Sequence, residues 1–246
     1  MTPEVPVVLL HGVGLDSTMW KPVIDRIGDR ALPLDLPGHG NRPPLRLEQT
    51  LATLATDILD RLPAQPVHLV GFSLGSLIAQ HIARFAPQRL LTLTCVSSVC
   101  RRTPAERDAV EARLETARLR FDDSVDASIR RWFPPGTTVS PDIIEQTRRV
   151  LLRNDVESYL HAYTAFARGD REIGPELDAI TVPALAVAGE LDPGSTPEMS
   201  RRLAAAIPAC RLTIVPHTRH MVPLESTSAL CDALTEFITT LEGVAS

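Results

Sequence analysis

The stretch Gly71-Phe72-Ser73-Leu74-Gly75 sets a serine between two glycines, after an apolar run and before a helical pattern. A sharp strand-to-helix turn there lifts the hydroxyl above a sheet, and small neighbours let strand and helix approach closely. A serine hydroxyl is a poor nucleophile alone and needs a base. His220, in HTRHMVPLE (His217 to Glu225), and Asp192, in AGELDP (Ala188 to Pro193), supply the base and its orienting acid. Both follow apolar runs that read as strands, and parallel sheets gather reacting groups beyond the carboxyl ends of their strands. The chemistry implied is acyl transfer. His220 takes the Ser73 proton, and Asp192 holds the imidazole tautomer and stabilises the imidazolium. His217 is an alternative base and Glu190 an alternative acid. A developing oxyanion needs donors. The loop His11-Gly-Val-Gly14 follows the first strand, so the backbone N–H groups of Val13 and Leu74 are the candidates.

Alternating strands and helices must position these groups. Val5–Leu10, Ala31–Leu36, Pro66–Phe72 and Leu90–Val96 read as strands, with helices over 17–27, 48–62 and 74–85 between them. From about residue 101 to 171 the pattern is mainly helical, with Val156, Tyr159, Leu160, Tyr163 and Phe166 on one face. Strands at 182–188 and 211–215 and helices at 197–207 and 224–241 then resume the alternation. The expected fold is α/β, a mostly parallel sheet covered by helices on both faces. Residues 1–100 and 172–246 form its core, and 101–171 a helical cap inserted within it.

The 246 residues suffice to bury one α/β core. At 44% hydrophobic and 22% charged, the composition is that of a globular domain. No apolar run approaches the roughly 20 residues needed to cross a bilayer. The N-terminal stretch lacks the basic segment of a signal peptide, so the expected location is the cytoplasm, with no membrane partner. A net charge of −5 disfavours nucleic acid. Cys95, Cys100, Cys210 and Cys231 show no metal or redox spacing and are expected as free, buried thiols. Neither a metal nor an organic cofactor is called for. His11, His39, His68 and His81 read as structural or surface residues, and His161 as a possible pocket residue.

Aromatic residues make up only 4% of the chain, yet Phe121, Trp132, Phe133, Tyr159, Tyr163 and Phe166 fall in the cap. They can pack the short helices together or close an apolar pocket, with Trp132 the foremost substrate contact. Arg130, with Arg131 beside it, is the candidate to pair with a substrate carboxylate.

Five stretches together resemble the α/β-hydrolase superfamily: VLLHG (Val8 to Gly12), DLPGHG (Asp35 to Gly40), GFSLG, AGELD (Ala188 to Asp192) and HMVPLE (His220 to Glu225). RRWF (Arg130 to Phe133) and LLRNDVESY (Leu151 to Tyr159) are similar to the cap of the 3-oxoadipate enol-lactonases and small carboxylesterases. The resemblance implies the α/β-hydrolase fold and cleavage of a small-molecule ester or enol-lactone through an acyl-enzyme on Ser73. It leaves room for C–C bond hydrolysis or cofactor-free perhydrolysis on the same triad, or for a hydrolase-like receptor. Three departures stand out. Ser76 replaces a usual glycine. Only four residues precede Val5, where the family normally has a strand pair, so a shorter sheet with another strand at its edge is expected, and with it a homodimer as an alternative to a monomer. Leu77 occupies the position where the subgroup that eliminates pyruvate in menaquinone biosynthesis carries arginine.

Overall fold

The structure, a computed structural model, describes residues 5–242. Residues 1–4 and 243–246 carry the outer limits of the expected core segments and the start of the N-terminal stretch; they lie outside the described residues.

Six strands form one parallel sheet in the order β2-β1-β3-β4-β5-β6. They are β1 (Val7–Leu10), β2 (Ala31–Leu34), β3 (Val67–Phe72), β4 (Leu90–Val96), β5 (Ala184–Gly189) and β6 (Cys210–Val215). Every strand pair among them is parallel. Helix α1 (Lys21–Ile27) lies between β1 and β2, α2 (Leu51–Arg61) between β2 and β3, and α3 (Leu74–Phe85) between β3 and β4. The insertion holds α4 (Pro104–Leu119), α5 (Phe121–Trp132), α6 (Pro141–Leu152) and α7 (Val156–Ile173). Helix α8 (Pro197–Ala206) joins β5 to β6, and α9 (Val222–Glu225) and α10 (Thr227–Glu242) close the chain.

Successive strand residues point to opposite faces of a sheet, and the core divides accordingly. Val8, Leu10 and Leu69 pack with α2, α3 and α8. Val7, Leu9 and Val70 pack with α1 and α10. Both faces are covered, which is why β1 and β3 read as continuous apolar runs. The chain runs from β1 to one side as β2, then returns to the other side as β3. The loops after β1 and β3 therefore diverge from adjacent strands, the place where a crevice opens in such sheets.

Helix starts are written locally. Thr103, Ser140 and Thr196 cap α4, α6 and α8 through side-chain oxygens that accept amides of the first turn, and a proline follows each cap. Proline there costs no hydrogen bond and its φ suits the helix. Two expected helices differ in form. Residues 17–20 make a 3-10 turn before α1, because Pro22 lacks the N–H that would continue an α-helix backward. The expected 224–241 helix breaks at Ser226 (φ −139°, ψ 49°) into α9 and α10. Val156, expected on the buried face of α7, is exposed in its first turn, whereas Tyr159, Tyr163 and Phe166 are buried.

The two ends of the insertion are tied to each other. Arg102 donates to both carboxylate oxygens of Asp170, through its backbone amide at 2.8 Å and its guanidinium at 2.6 Å. Both side chains are essentially inaccessible. Arg101 donates to the carbonyl of Gly174. At one sheet edge, β2 carries Pro33, which has no N–H to offer a neighbouring strand. The four cysteines are free, three of them buried. Among the described residues no helix is long and apolar enough to cross a membrane.

Candidate active site

The backbone of Ser73 is left-handed (φ 53°, ψ −112°), a conformation that a non-glycine residue holds only where its surroundings force it. The forcing is visible. A Cβ on Gly71 would lie 2.2 Å from the carbonyl oxygen of Gly75, and one on Gly75 would lie 2.5 Å from that of Leu10. Strand β3, helix α3 and the end of β1 are thus in backbone contact, and the chain between them turns at Ser73. Ser73 N donates to Val96 O at 3.0 Å, which anchors the turn to β4. Ser76, in place of the usual glycine, is fully buried and donates its hydroxyl to the carbonyls of Gly71 and Val96. Leu77 is fully buried in the core.

Asp192 and His220 meet above β5 and β6. His220 Nδ1 and Asp192 Oδ2 are 2.6 Å apart, and both residues are buried. The remaining oxygen of Asp192 accepts the amides of Gly194 (2.8 Å) and Ser195 (3.0 Å). A carboxylate so held cannot swing away from the imidazole. His220 is fixed as well. Ser97 Oγ donates to its carbonyl at 2.8 Å, and Glu225 accepts the amides of Arg219 and Met221 on either side of it. Burial raises the pKa of Glu225, and those two amides oppose the rise. The imidazole lies between Phe72 of β3, at 5.0 Å between ring centres, and Trp132 of α5, at 5.7 Å and 21° between planes.

The rival residues face elsewhere. His217 and Glu190 are exposed, and the Glu190 carboxylate accepts the His217 amide at 2.9 Å. They close a turn outside the site. His161 does not line the cavity; its nearest charged partner is Glu157, at 3.9 Å.

Ser73, Asp192, His220, Val13 and Trp132 share one narrow cavity of 40 Å³ under the cap. A larger groove of 490 Å³ lies between α1 and α6, but it contains none of these groups. Leu74 is the first residue of α3, so its amide is among the helix N–H groups without an intrahelical acceptor. Within the described residues no hydrogen bond engages the amide of Val13 or Leu74. The Val13 loop is held by two histidines. His39 Nε2 accepts the Gly14 amide and His11 Nε2 accepts the Leu36 amide, each at 2.9 Å. Both rings are neutral, because burial pushes His11 down to about 4 and His39 to about 3.

One expectation is corrected. Arg130 is exposed and lines no part of the cavity, whereas Arg131 does. Consecutive helical residues point about 100° apart, and Trp132, which faces the imidazole, turns Arg131 inward rather than Arg130. Ser97 and Arg113 were not singled out from the sequence, and Glu225 was noted only as part of a matching stretch. Glu225 had a signal, a carboxylate in the short segment after the histidine. Arg113 had none, since its place depends on how α4 packs on α5.

The alpha/beta hydrolase family matches residues 7–233. The chain belongs to that family and is a hydrolase. It is 31% identical over 241 residues to the (E)-2-((N-methylformamido)methylene)succinate hydrolase of Acinetobacter baylyi, covering 96% of this chain and 90% of that one. It is 30% identical to the pimeloyl-acyl-carrier-protein methyl ester esterase of Edwardsiella ictaluri, over 94% and 92% of the two chains. The crystal structure of the enol-lactonase from Burkholderia xenovorans LB400 superposes with a TM-score of 0.87 at 27% identity, covering 96% and 92%. The resemblance to enol-lactonases and small esterases is borne out.

Proposed function

We propose that the protein hydrolyses a carboxylic ester or lactone through an acyl-enzyme on Ser73. The observation that carries this reading is the buried 2.6 Å His220–Asp192 pair, which shares a cavity with the strained Ser73 turn. Relatives named as an enol-lactonase and a methyl ester esterase support the choice of bond.

His220 takes the Ser73 proton as Oγ attacks the carbonyl, and the imidazolium is stabilised by Asp192. The amides of Val13 and Leu74 donate to the oxyanion, where preorganised dipoles count most. Collapse of the tetrahedral intermediate breaks the acyl–oxygen bond, and His220 protonates the leaving oxygen. Water, deprotonated by His220, then attacks the acyl-enzyme; this releases the acid and returns the proton to Ser73. With a lactone the leaving alcohol stays tethered to the acyl part. Trp132 contacts the bound substrate beside the imidazole.

Ser73→Ala is expected to lower kcat by at least about 10³-fold on any ester the protein turns over. Near-wild-type turnover in that variant would remove Ser73 from the mechanism. His220→Ala should fail equally and His217→Ala should not. The reverse pattern would transfer the role of base.

A further inference from the structure

Several arginines in the cap are matched to carboxylates, and Arg101 and Arg107 donate to backbone carbonyls. Arg102 pairs with Asp170, Arg120 with Asp123, Arg148 with Asp126 and Arg149 with Glu145. Arg113 and Arg131 are different. Both are half-buried, both line the cavity that holds Ser73 and His220, and neither makes an ion pair among the described residues. Arg131 donates to Ser128 Oγ at 3.1 Å and stands 6.0 Å over the Trp132 ring, contacts that bring no negative charge. Burial first and the positive charge of Arg113 second push the Arg131 pKa down. Two like charges drawn partly out of water cost stability unless an anion joins them. The phenols of Tyr159 and Tyr163 line the same cavity and add potential donors. Asp192, the carboxylate in the cavity wall, is already committed to His220 and two amides.

We propose that Arg113 and Arg131 form a carboxylate subsite, so that the ester or lactone cleaved at Ser73 also carries a free carboxylate. The inference rests on the hydrolase reading for the word substrate, but the anion site itself does not. Guanidinium–carboxylate hydrogen bonds are charge-assisted and geometrically specific. At about 1.5–3 kcal/mol each, they separate an acid from its neutral analogue by roughly tenfold to a hundredfold.

The test compares methyl half-esters of succinate, glutarate and adipate with neutral methyl esters of matched length. The wild type is expected to favour at least one half-ester in kcat/KM by about tenfold or more. Arg131→Met and Arg113→Met should each collapse that ratio by a similar factor, whereas the exposed-side control Arg130→Met should keep it. Arg131→Lys, which retains the charge, should recover part of the ratio, which a packing defect would not allow. No preference for any half-ester, or a preference indifferent to both substitutions, overturns the subsite. A second readout needs no turnover: calorimetry of the same half-esters with Ser73→Ala protein, with and without Arg131→Met. Binding of the anion that is lost with Arg131 supports the subsite even if no ester is cleaved. Turnover of neutral esters with no anion binding sinks the subsite and leaves the hydrolase reading standing.

Discussion

The cavity has a floor made by the sheet and a roof made by the cap, and the two are built differently. On the floor, polar groups are held by backbone. Asp192 accepts two amides, the carbonyl of His220 accepts a hydroxyl, and Gly14 is tethered to a buried imidazole. On the roof, Trp132, Tyr159 and Tyr163 are placed by helix packing, and the two arginines make no ion pair among the described residues. Over-determined geometry suits groups that must react; incompletely satisfied side chains suit groups that wait for a ligand. On the proposed function, the floor would set the rate and the roof the choice of substrate.

If that division is right, substitutions on the floor should strike kcat and those on the roof should strike selectivity. The largest effect after loss of the nucleophile is expected from Asp192→Asn. It should lower kcat by about 10³- to 10⁴-fold, because the imidazole loses its tautomeric lock, with the substrate dissociation constant little changed. A loss shared equally with substrate affinity would blur floor and roof.

Gly71→Ala comes next. Its Cβ would be driven against the Gly75 carbonyl at 2.2 Å. About 3 kcal/mol of folding stability should go, read from the urea midpoint. An unchanged midpoint would mean the turn is looser than described. A smaller effect is expected from Trp132→Leu, about tenfold in kcat/KM with kcat held within about threefold. A fall in kcat alone would make the indole part of the catalytic machinery.

The mildest test is acid. The folded pKa values of His11 and His39, about 4 and about 3, lie below the ordinary 6.5. Between those values the unfolded chain takes up protons that the native one refuses, so stability should rise with pH from about 3 to 6.5 and be lost as pH falls through that window. Chemical unfolding at pH 5 and 7 checks it. His39→Gln should shrink the difference; an unaltered difference would take the HGVG tether out of the acid response.

The same division explains what the sequence made legible. Helix α3 and strand β4 were predicted with the bounds they have, because Ser73, Pro87 and the apolar runs punctuate them. Ser73, Asp192, His220 and Val13, which the structure brings to one cavity, can be singled out because each lies within a short stretch whose backbone is constrained by its own neighbours, whereas Ser97 cannot. The roof was legible only as a helical block rich in aromatic residues. Choosing Arg130 over Arg131 needed the rotation of α5 against the sheet. Arg113 needed the packing of α4 on α5, a contact between side chains of two helices that no local pattern encodes. The break at Ser226 was hidden for a similar reason, since the α9 carboxylate of Glu225 folds back to the amides around His220.

The clasp between Arg102 and Asp170 also limits how the molecule can breathe. It rivets the first residues of the inserted arch to its last helix, and parting two charges so deeply enclosed would cost about 3–5 kcal/mol. Clasped feet make the arch one body, and its last helix is fastened to the loops below where Ser158 donates to the Gly38 carbonyl and Asn154 to that of Gly14. Passage to the hidden hydroxyl is therefore expected farther along the arch, where α5 and α6 pack on each other, with α7 and the joined feet held in place.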